Sequence, residues 1–151
     1  MRRFPTIEAI TFTSVLILDQ LSKILVANWL GLGQSVAVIP GIFNFTMTYN
    51  RGTIWGIAQG GNFIFAIIAI VVVVVILIFT PQFATSLGSK IAIGAILGGA
   101  IGNLIDRIAR GFVIDFIEFG FIKFPVFNVA DMGIVLGAIT LAVFMLFISK
   151  K

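Results

Sequence analysis

The chain has 151 residues, of which 60% are hydrophobic and 11% are charged, and its mean hydropathy is +1.18. These values indicate a membrane protein and exclude an ordinary water-soluble domain. The sequence has no cysteine and no histidine, which excludes thiol nucleophiles, imidazole bases and the usual zinc sites. The net charge is +4, but the ten basic residues are scattered, so nothing indicates nucleic-acid binding.

Four apolar segments approach the roughly 20 residues that a helix needs to cross a bilayer. The first follows Arg2 and Arg3, but it is too long for a signal peptide and contains Asp19, so we expect an uncleaved anchor. Together the segments occupy most of the chain, which predicts a single all-α membrane domain over residues 1–151. The predicted spans cover approximately residues 7–30, 63–79, 87–105 and 129–148.

Four spans place both termini on the same side of the membrane. Five basic residues fall on each side, so the positive-inside rule does not decide the orientation. We expect cytoplasmic termini, because the bases on the opposite side are expected to lie close to Asp19, Asp106 and Asp115. Bases that are held locally by such carboxylates would not act as topology signals.

The first loop on the outer side, residues 31–62, contains a short pattern of alternating apolar and polar residues on both sides of Pro40-Gly41. This pattern predicts a β-hairpin with one apolar face. The third loop, residues 106–128, is rich in β-branched and aromatic residues. We expect it to pair with the hairpin in a small sheet at the membrane surface, with Asp115 at the edge of the bilayer.

The second and third spans differ in character. The second carries no ionisable residue and is predicted to be a lipid-facing scaffold that ends before Thr80-Pro81. The third has Gly94 and Gly98 at G-x-x-x-G spacing, which favours close helix packing. We therefore expect the third span to be the central helix.

Ionisable residues in membrane segments cost about 2.5 kcal/mol or more at a helix centre and often mark functional sites. Asp19 and Lys23 are four residues apart, so an intrahelical ion pair is as good an interpretation as a functional role. Asp106 and Arg107 are neighbours and point in different directions on a helix. With Asn103, they are expected to reach other elements and to brace a site.

Two acidic residues near the end of the chain stand among apolar neighbours. Asp115 lies between Ile114 and Phe116, which favours a functional role, and Glu118 would occupy the opposite face of an extended strand. Asp131 stands three residues after Asn128, as in a capping box. A helix N-terminus also holds a catalytic carboxylate rigidly, so capping and catalysis are compatible.

Other chemistries have weaker support in the sequence. Ser22-Lys23 and Ser89-Lys90 suggest a serine/lysine hydrolase, but adjacent helical residues face apart. A Mg²⁺ site is chemically conceivable, but the spacing of the acidic residues gives no signal for one. Its four candidate ligands are Asp106, Asp115, Glu118 and Asp131.

Four segments in order resemble the lipoprotein signal peptidases, also called signal peptidase II. The segments are LDQLSK (18–23), YNRGTIWG (49–56), GGAIGNLIDRIARGFVIDFIEF (98–119) and FPVFNVAD (124–131). The combination of G-N-x-x-D-R, V-x-D-F and F-N-x-A-D is highly specific, and with four spans the resemblance covers nearly the full chain.

The resemblance implies an aspartic endopeptidase of the bacterial cytoplasmic membrane that removes the signal peptide of a prolipoprotein before its diacylglyceryl-modified cysteine. It implies cytoplasmic termini and an active site near the extracytoplasmic face. We expect no cofactor, no metal and a monomer surrounded by membrane lipid. The family's catalytic pair matches Asp115 and Asp131. Its supporting polar residues match Asp19, Asn50, Asn103, Asp106, Arg107 and Asn128.

One segment departs from the family pattern. After Asn50 and Gly52 the family usually has small residues and then Phe, whereas this chain has Thr53, Ile54 and Trp55. The bulkier side chains are expected to reshape the substrate groove. We also expect the outer hairpin with Trp55 to lie over the site as a clamp.

Two carboxylates brought close together share one proton and titrate as a pair, which supplies an acid and a base at one pH. The ionised member would activate a water, and the protonated member would polarise the peptide carbonyl. The alternatives are a small proton-coupled transporter and a non-enzymatic membrane assembly protein. Apart from Glu8, the acidic residues gather on one predicted side, which fits a surface site better than a relay across the bilayer.

Overall fold

The computed structural model describes residues 6–52 and 61–148, with side chains up to residue 146. Its elements in chain order are α1 (Thr6–Trp29), β1 (Ser35–Ile39), β2 (Phe43–Asn50), α2 (Gly61–Phe83), α3 (Leu87–Arg110), β3 (Val113–Phe119), α4 (Val129–Val143) and a π-helical turn (Phe144–Ile148). Four helical segments in this part of the chain are long and apolar enough to cross a membrane, the last being Val129–Leu146. The predicted class, four such helices with a small sheet, is confirmed.

Helix α3 is the central helix, as predicted from its glycines. A Cβ atom at Gly94 or Gly98 would lie 2.5 or 2.7 Å from backbone oxygens of α1. A Cβ at Gly99 would overlap the carbonyl oxygen of Ala130 in α4. The absence of side chains at these positions therefore lets α1 and α4 pack directly against the backbone of α3.

Helix α2 is exposed along most of its length, but the prediction that it ends before Thr80-Pro81 is wrong. Proline removes one helical hydrogen bond and its ring crowds the carbonyl four residues earlier, but the helix nevertheless continues to Phe83. The Ala84 N–H donates to the Thr80 carbonyl (2.8 Å) and so bridges the proline. Helix α3 is also longer than predicted, because it reaches Arg110 before Gly111 ends it at φ 77°.

The three strands form one antiparallel sheet in the order β1-β2-β3. At the hairpin, the Ile42 N–H donates to the Ile39 carbonyl (3.0 Å), and Gly41 has a φ of 74°. Proline followed by a residue of positive φ is typical of a type II turn. The predicted hairpin and its pairing with the third loop are both confirmed.

Strand β3 connects the sheet to the helices. Ile114 and Phe116 pack with Met47 and with Val26 and Leu30 at the end of α1. Alternation of side chains turns Asp115 to the opposite face of the strand. Asp115 thereby points towards the start of α4, whose Asn128 contacts it.

Candidate active site

Asp131 is held at the N-terminus of α4 by the capping box that the sequence predicts. Asn128 Oδ1 accepts from the Asp131 N–H (2.9 Å), and the Asn128 N–H donates to Asp131 Oδ2 (3.2 Å). The other oxygen, Asp131 Oδ1, accepts from Asn103 Nδ2 of α3 (2.8 Å). The capping box and the bond from Asn103 therefore fix the position of this carboxyl group at the positive end of the helix dipole.

Asp115 is buried, with 2% of its surface exposed. Asn128 Nδ2 donates to its Oδ1 (2.6 Å), and Asn50 Nδ2 at the end of β2 donates to its Oδ2 (3.0 Å). Asn50 is itself fixed, because its Oδ1 accepts from the Gly52 N–H (2.9 Å). The carboxyl group therefore lies between one amide of the sheet and one amide of α4.

Asn128 joins the two acidic residues, because its side chain contacts Asp115 and its backbone N–H contacts Asp131. Burial raises the pKa of Asp115 to about 7, and the negative charge of Asp131 acts in the same direction. The hydrogen bonds from Asn50 and Asn128 and the charge of Lys23 oppose this rise. An aspartate that holds its proton near neutral pH beside a second carboxyl group is suited to acid–base chemistry.

An ion-pair network supports the site; three of its side chains are fully buried and the fourth, Arg110, is 30% exposed. Lys23 Nζ lies 2.8 Å from Asp19 Oδ2 and 2.9 Å from Asp106 Oδ2, and all three side chains have 0% exposure. Arg110 lies 2.6 Å from Asp106 Oδ1. The predicted Asp19–Lys23 pair is present, and Asp106 reaches another helix as predicted.

Asp19 and Asp106 also fix the backbone around the site. Asp19 Oδ1 accepts from the Ala130 N–H (2.9 Å), one of the free donors in the first turn of α4. Asp106 Oδ2 accepts from the Ile114 N–H (3.3 Å), next to Asp115. Helices α1 and α3 thus position the two elements that carry the carboxyl pair.

Arg107 lies beside this network. One of its terminal nitrogens donates to the Asn103 carbonyl (3.2 Å), and its guanidinium lies 5.5 Å from the Phe65 ring centroid. Its buried Nε has no hydrogen-bond partner among the residues that the structure describes. Asn62, which the sequence did not single out, donates to the Arg107 carbonyl (3.2 Å).

Two open cavities meet at Asn50 and Asp131, which line both of them. The first, of about 760 Å³, lies between α4 and the sheet and is lined largely by apolar side chains such as Phe119 and Phe127. The second, of about 600 Å³, lies between α2, α3 and α4 and is lined by Asn103 and by Arg107. An extended chain with an apolar substituent could occupy both.

The structure brings together all eight residues that the sequence singled out for the site. It places Glu118 elsewhere, on the opposite face of β3, where it accepts from Asn44 Nδ2 and Thr46 Oγ1. Two residues of the network, Lys23 and Gln20, were not among the predicted site residues. Gln20 Nε2 donates to Asp19 Oδ2 (3.0 Å) and to Asp106 Oδ1 (3.3 Å). The eight are Asp19, Asn50, Asn103, Asp106, Arg107, Asp115, Asn128 and Asp131.

No group of three or more acidic residues in the described part of the chain has an arrangement that could hold a metal ion. The segment 53–60 lies outside the described residues. The expectations for Thr53, Ile54 and Trp55, including the clamp, therefore remain predictions.

A family model described as signal peptidase (SPase) II matches residues 11–147. The chain belongs to this family. The family consists of aspartic peptidases, so the resemblance noted in the sequence and the assignment as a membrane peptidase are both confirmed.

Individual relatives agree with the family assignment. The chain is 38% identical to a lipoprotein signal peptidase of Halothermothrix orenii, over 87% of this chain and 89% of the relative. It is 40% identical to the lipoprotein signal peptidase of Geobacillus kaustophilus, with 89% of each chain covered. In both comparisons the similarity extends over most of either chain.

A solved structure also matches the fold. It is described as a bacterial membrane enzyme determined by the in meso method at 1.9 Å resolution. The TM-score is 0.86 at 34% identity, with 93% of each chain covered. The four helices and the small sheet therefore match the architecture of a bacterial membrane enzyme, which fits a multi-pass membrane protein.

Proposed function

We propose that this protein is an intramembrane endopeptidase that removes signal peptides from prolipoproteins. The bond cleaved is the one before the diacylglyceryl-modified cysteine. Asp115 and Asp131 activate the attacking water. The observation that carries this proposal is the contact of Asn128 with both carboxyl groups, of which the buried Asp115 has a pKa raised to about 7.

The environments of the two carboxyl groups differ and support different roles. Both carboxyl groups accept two hydrogen bonds, but only Asp131 lies in the first turn of a helix, where the helix dipole favours negative charge. We therefore assign Asp131 as the ionised member that takes a proton from water. Asp115 is buried and keeps its proton near neutral pH, so it is the member that donates to the carbonyl oxygen. The two groups titrate as a pair, and each changes role as the proton moves.

The cavities support the proposed substrate. The apolar cavity beside Asp131 suits an acyl-bearing side chain, and the second cavity is lined by the polar side chains of Asn50, Asn103 and Arg107. The guanidinium of Arg107 carries several N–H donors, which suit the carbonyl groups of an extended peptide. We assign the carboxyl pair to the extracytoplasmic face and both termini to the cytoplasm. Lys23 and Arg110 are paired locally with Asp19 and Asp106, so these two basic residues do not count as topology signals.

The test is cleavage of a lipid-modified prolipoprotein by purified protein in detergent. Asp115→Asn and Asp131→Asn should each lower the rate by about 10²-fold to 10⁴-fold, the usual contribution of a positioned acid or base. Glu118→Gln is the matched control, because it makes the same change on the opposite face of β3 and should keep the wild-type rate. A folded Asn variant of either aspartate that cleaves at the wild-type rate contradicts the proposal.

A further inference from the structure

Lys23 is a buried residue of α1 whose three ammonium donors are all used. They point to Asp19 Oδ2 (2.8 Å), Asp106 Oδ2 (2.9 Å) and Asn103 Oδ1 (3.0 Å). The side chain has 0% exposure, so it cannot touch a substrate. The first two contacts neutralise buried carboxylates, whereas the third goes to an amide that itself contacts Asp131.

The contact with Asn103 has a chemical consequence. A lysine ammonium group has donors and no acceptor, so the amide of Asn103 must turn its oxygen towards Lys23. Its NH₂ group then faces Asp131 Oδ1 (2.8 Å). If the amide were reversed, the NH₂ group would face an ammonium donor and the oxygen would face a carboxylate.

The same constraint extends to the second amide. Asn128 Oδ1 is committed to the Asp131 N–H, so its NH₂ group is available for Asn103 Oδ1 (3.1 Å) and Asp115 Oδ1 (2.6 Å). A chain of oriented dipoles thus begins at Lys23 and ends at both carboxyl groups. Such chains strengthen each member by polarisation.

We propose that Lys23 is a positioning residue of the peptidase, which fixes the orientation of the Asn103 amide and so presents a hydrogen-bond donor to Asp131. This inference rests on the proposed function of the carboxyl pair. The proposed positioning role of Lys23 differs from a purely structural role in the ion-pair network. A comparison with Arg110 distinguishes these two roles. Arg110 also pairs with Asp106 (2.6 Å), but within the described residues its side chain makes no hydrogen bond to Asn103 or Asn128.

The experiment uses the double variant Lys23→Met with Asp19→Asn, which removes one positive and one negative charge and leaves the net charge of the network unchanged. Asn at position 19 retains an oxygen that can accept from the Ala130 N–H. The matched control is Arg110→Met, which removes a cation from Asp106 without touching either amide. Thermal unfolding in detergent establishes that each variant is folded before cleavage is measured.

We expect the double variant to lower kcat by about 10-fold to 100-fold, the rate equivalent of one hydrogen bond to a charged group. KM should stay unchanged, because Lys23 is not accessible to substrate. The alkaline limb of the pH–rate profile should move to higher pH, because the charge of Lys23 lowers the pKa of Asp115. Arg110→Met should keep the wild-type kcat and pH profile.

A double-mutant cycle with Asn103→Ala provides a second readout. In that background there is no amide to orient, so adding the double substitution should change kcat by less than about three-fold, as expected for coupled residues. If the double substitution lowers kcat as much in the Asn103→Ala background as in the wild type, the inference is contradicted. A folded double variant with wild-type kcat contradicts it as well. If the methionine variant does not fold, Lys23→Gln with Asp19→Asn replaces it, because glutamine has an acceptor and no longer fixes the amide.

Failure of this inference is distinguishable from failure of the proposed function. If Asp115→Asn and Asp131→Asn abolish cleavage while the folded Lys23 variant retains its kcat, only the role of Lys23 is refuted. If the aspartate variants retain cleavage, the proposed function itself is refuted, whatever Lys23 does.

Discussion

Replacing Asp115 by asparagine should remove a pH dependence from the stability of the fold. Burial raises the pKa of this carboxyl group from 3.8 to about 7. A carboxyl group with a raised pKa contributes stability that is fully present below its unfolded pKa. That contribution is lost as the pH rises through its folded pKa. Wild-type protein should therefore lose stability between about pH 4 and pH 8, and Asp115→Asn should lose clearly less over the same window.

The expected size follows from the pKa difference of about three units, at 1.36 kcal/mol per unit. It amounts to about 4 kcal/mol of unfolding free energy over the whole window. Asparagine also forfeits part of the bonding to Asn50 and Asn128, which costs about 1 kcal/mol at every pH. The pH slope, and not the absolute stability, is therefore the quantity that reports on Asp115.

The assay is thermal unfolding of purified protein in detergent at a series of pH values, followed by tryptophan fluorescence. The wild-type midpoint should fall towards alkaline pH relative to that of Asp115→Asn. Glu118→Gln is again the control, because it leaves Asp115 and its contribution in place. Parallel pH slopes for wild type and Asp115→Asn would refute the argument that burial makes ionisation of Asp115 costly.

Three further predictions concern activity and packing. Cleavage should decline as the pH rises through about 7, because Asp115 loses the proton that the mechanism needs; a pH–rate profile that stays flat to about pH 9 would contradict this. Asn50→Ala removes a hydrogen bond that lowers the pKa of Asp115, so the alkaline limb of the pH–rate profile should move to higher pH. An alkaline limb at the wild-type position would mean that this contact is not made in solution. Gly99→Ala introduces a methyl group onto the Ala130 carbonyl and should destabilise the protein by about 1–3 kcal/mol; an unchanged thermal midpoint would show that α3 and α4 are not so close.

Much of the site could be predicted from sequence because its signals are local. The Asn128–Asp131 capping box and the Asp19–Lys23 pair depend on spacings of three and four residues along one helix, and the structure has both. The opposite placement of Asp115 and Glu118 follows from strand alternation alone.

What the sequence could not supply are contacts that depend on how separate elements pack. The bond of Lys23 with Asn103 joins residues 80 positions apart and depends on the register between α1 and α3. The position of Asn50 against Asp115 likewise depends on sheet pairing. The predicted end of α2 was wrong because a proline disfavours a helix without forbidding it, and the bond from the Ala84 N–H to the Thr80 carbonyl continues the helix past Pro81.

The most direct test of the central claim is to titrate the carboxyl groups by NMR with ¹³C-labelled aspartate. We expect one aspartate resonance to titrate near pH 7 in the wild-type protein and to be absent in Asp115→Asn. In Asp131→Asn it should titrate at lower pH, because the negative charge of Asp131 helps to raise the pKa of Asp115. A titration that Asp131→Asn leaves unchanged, or the absence of any aspartate titrating above about pH 5, would contradict the account of a coupled carboxyl pair.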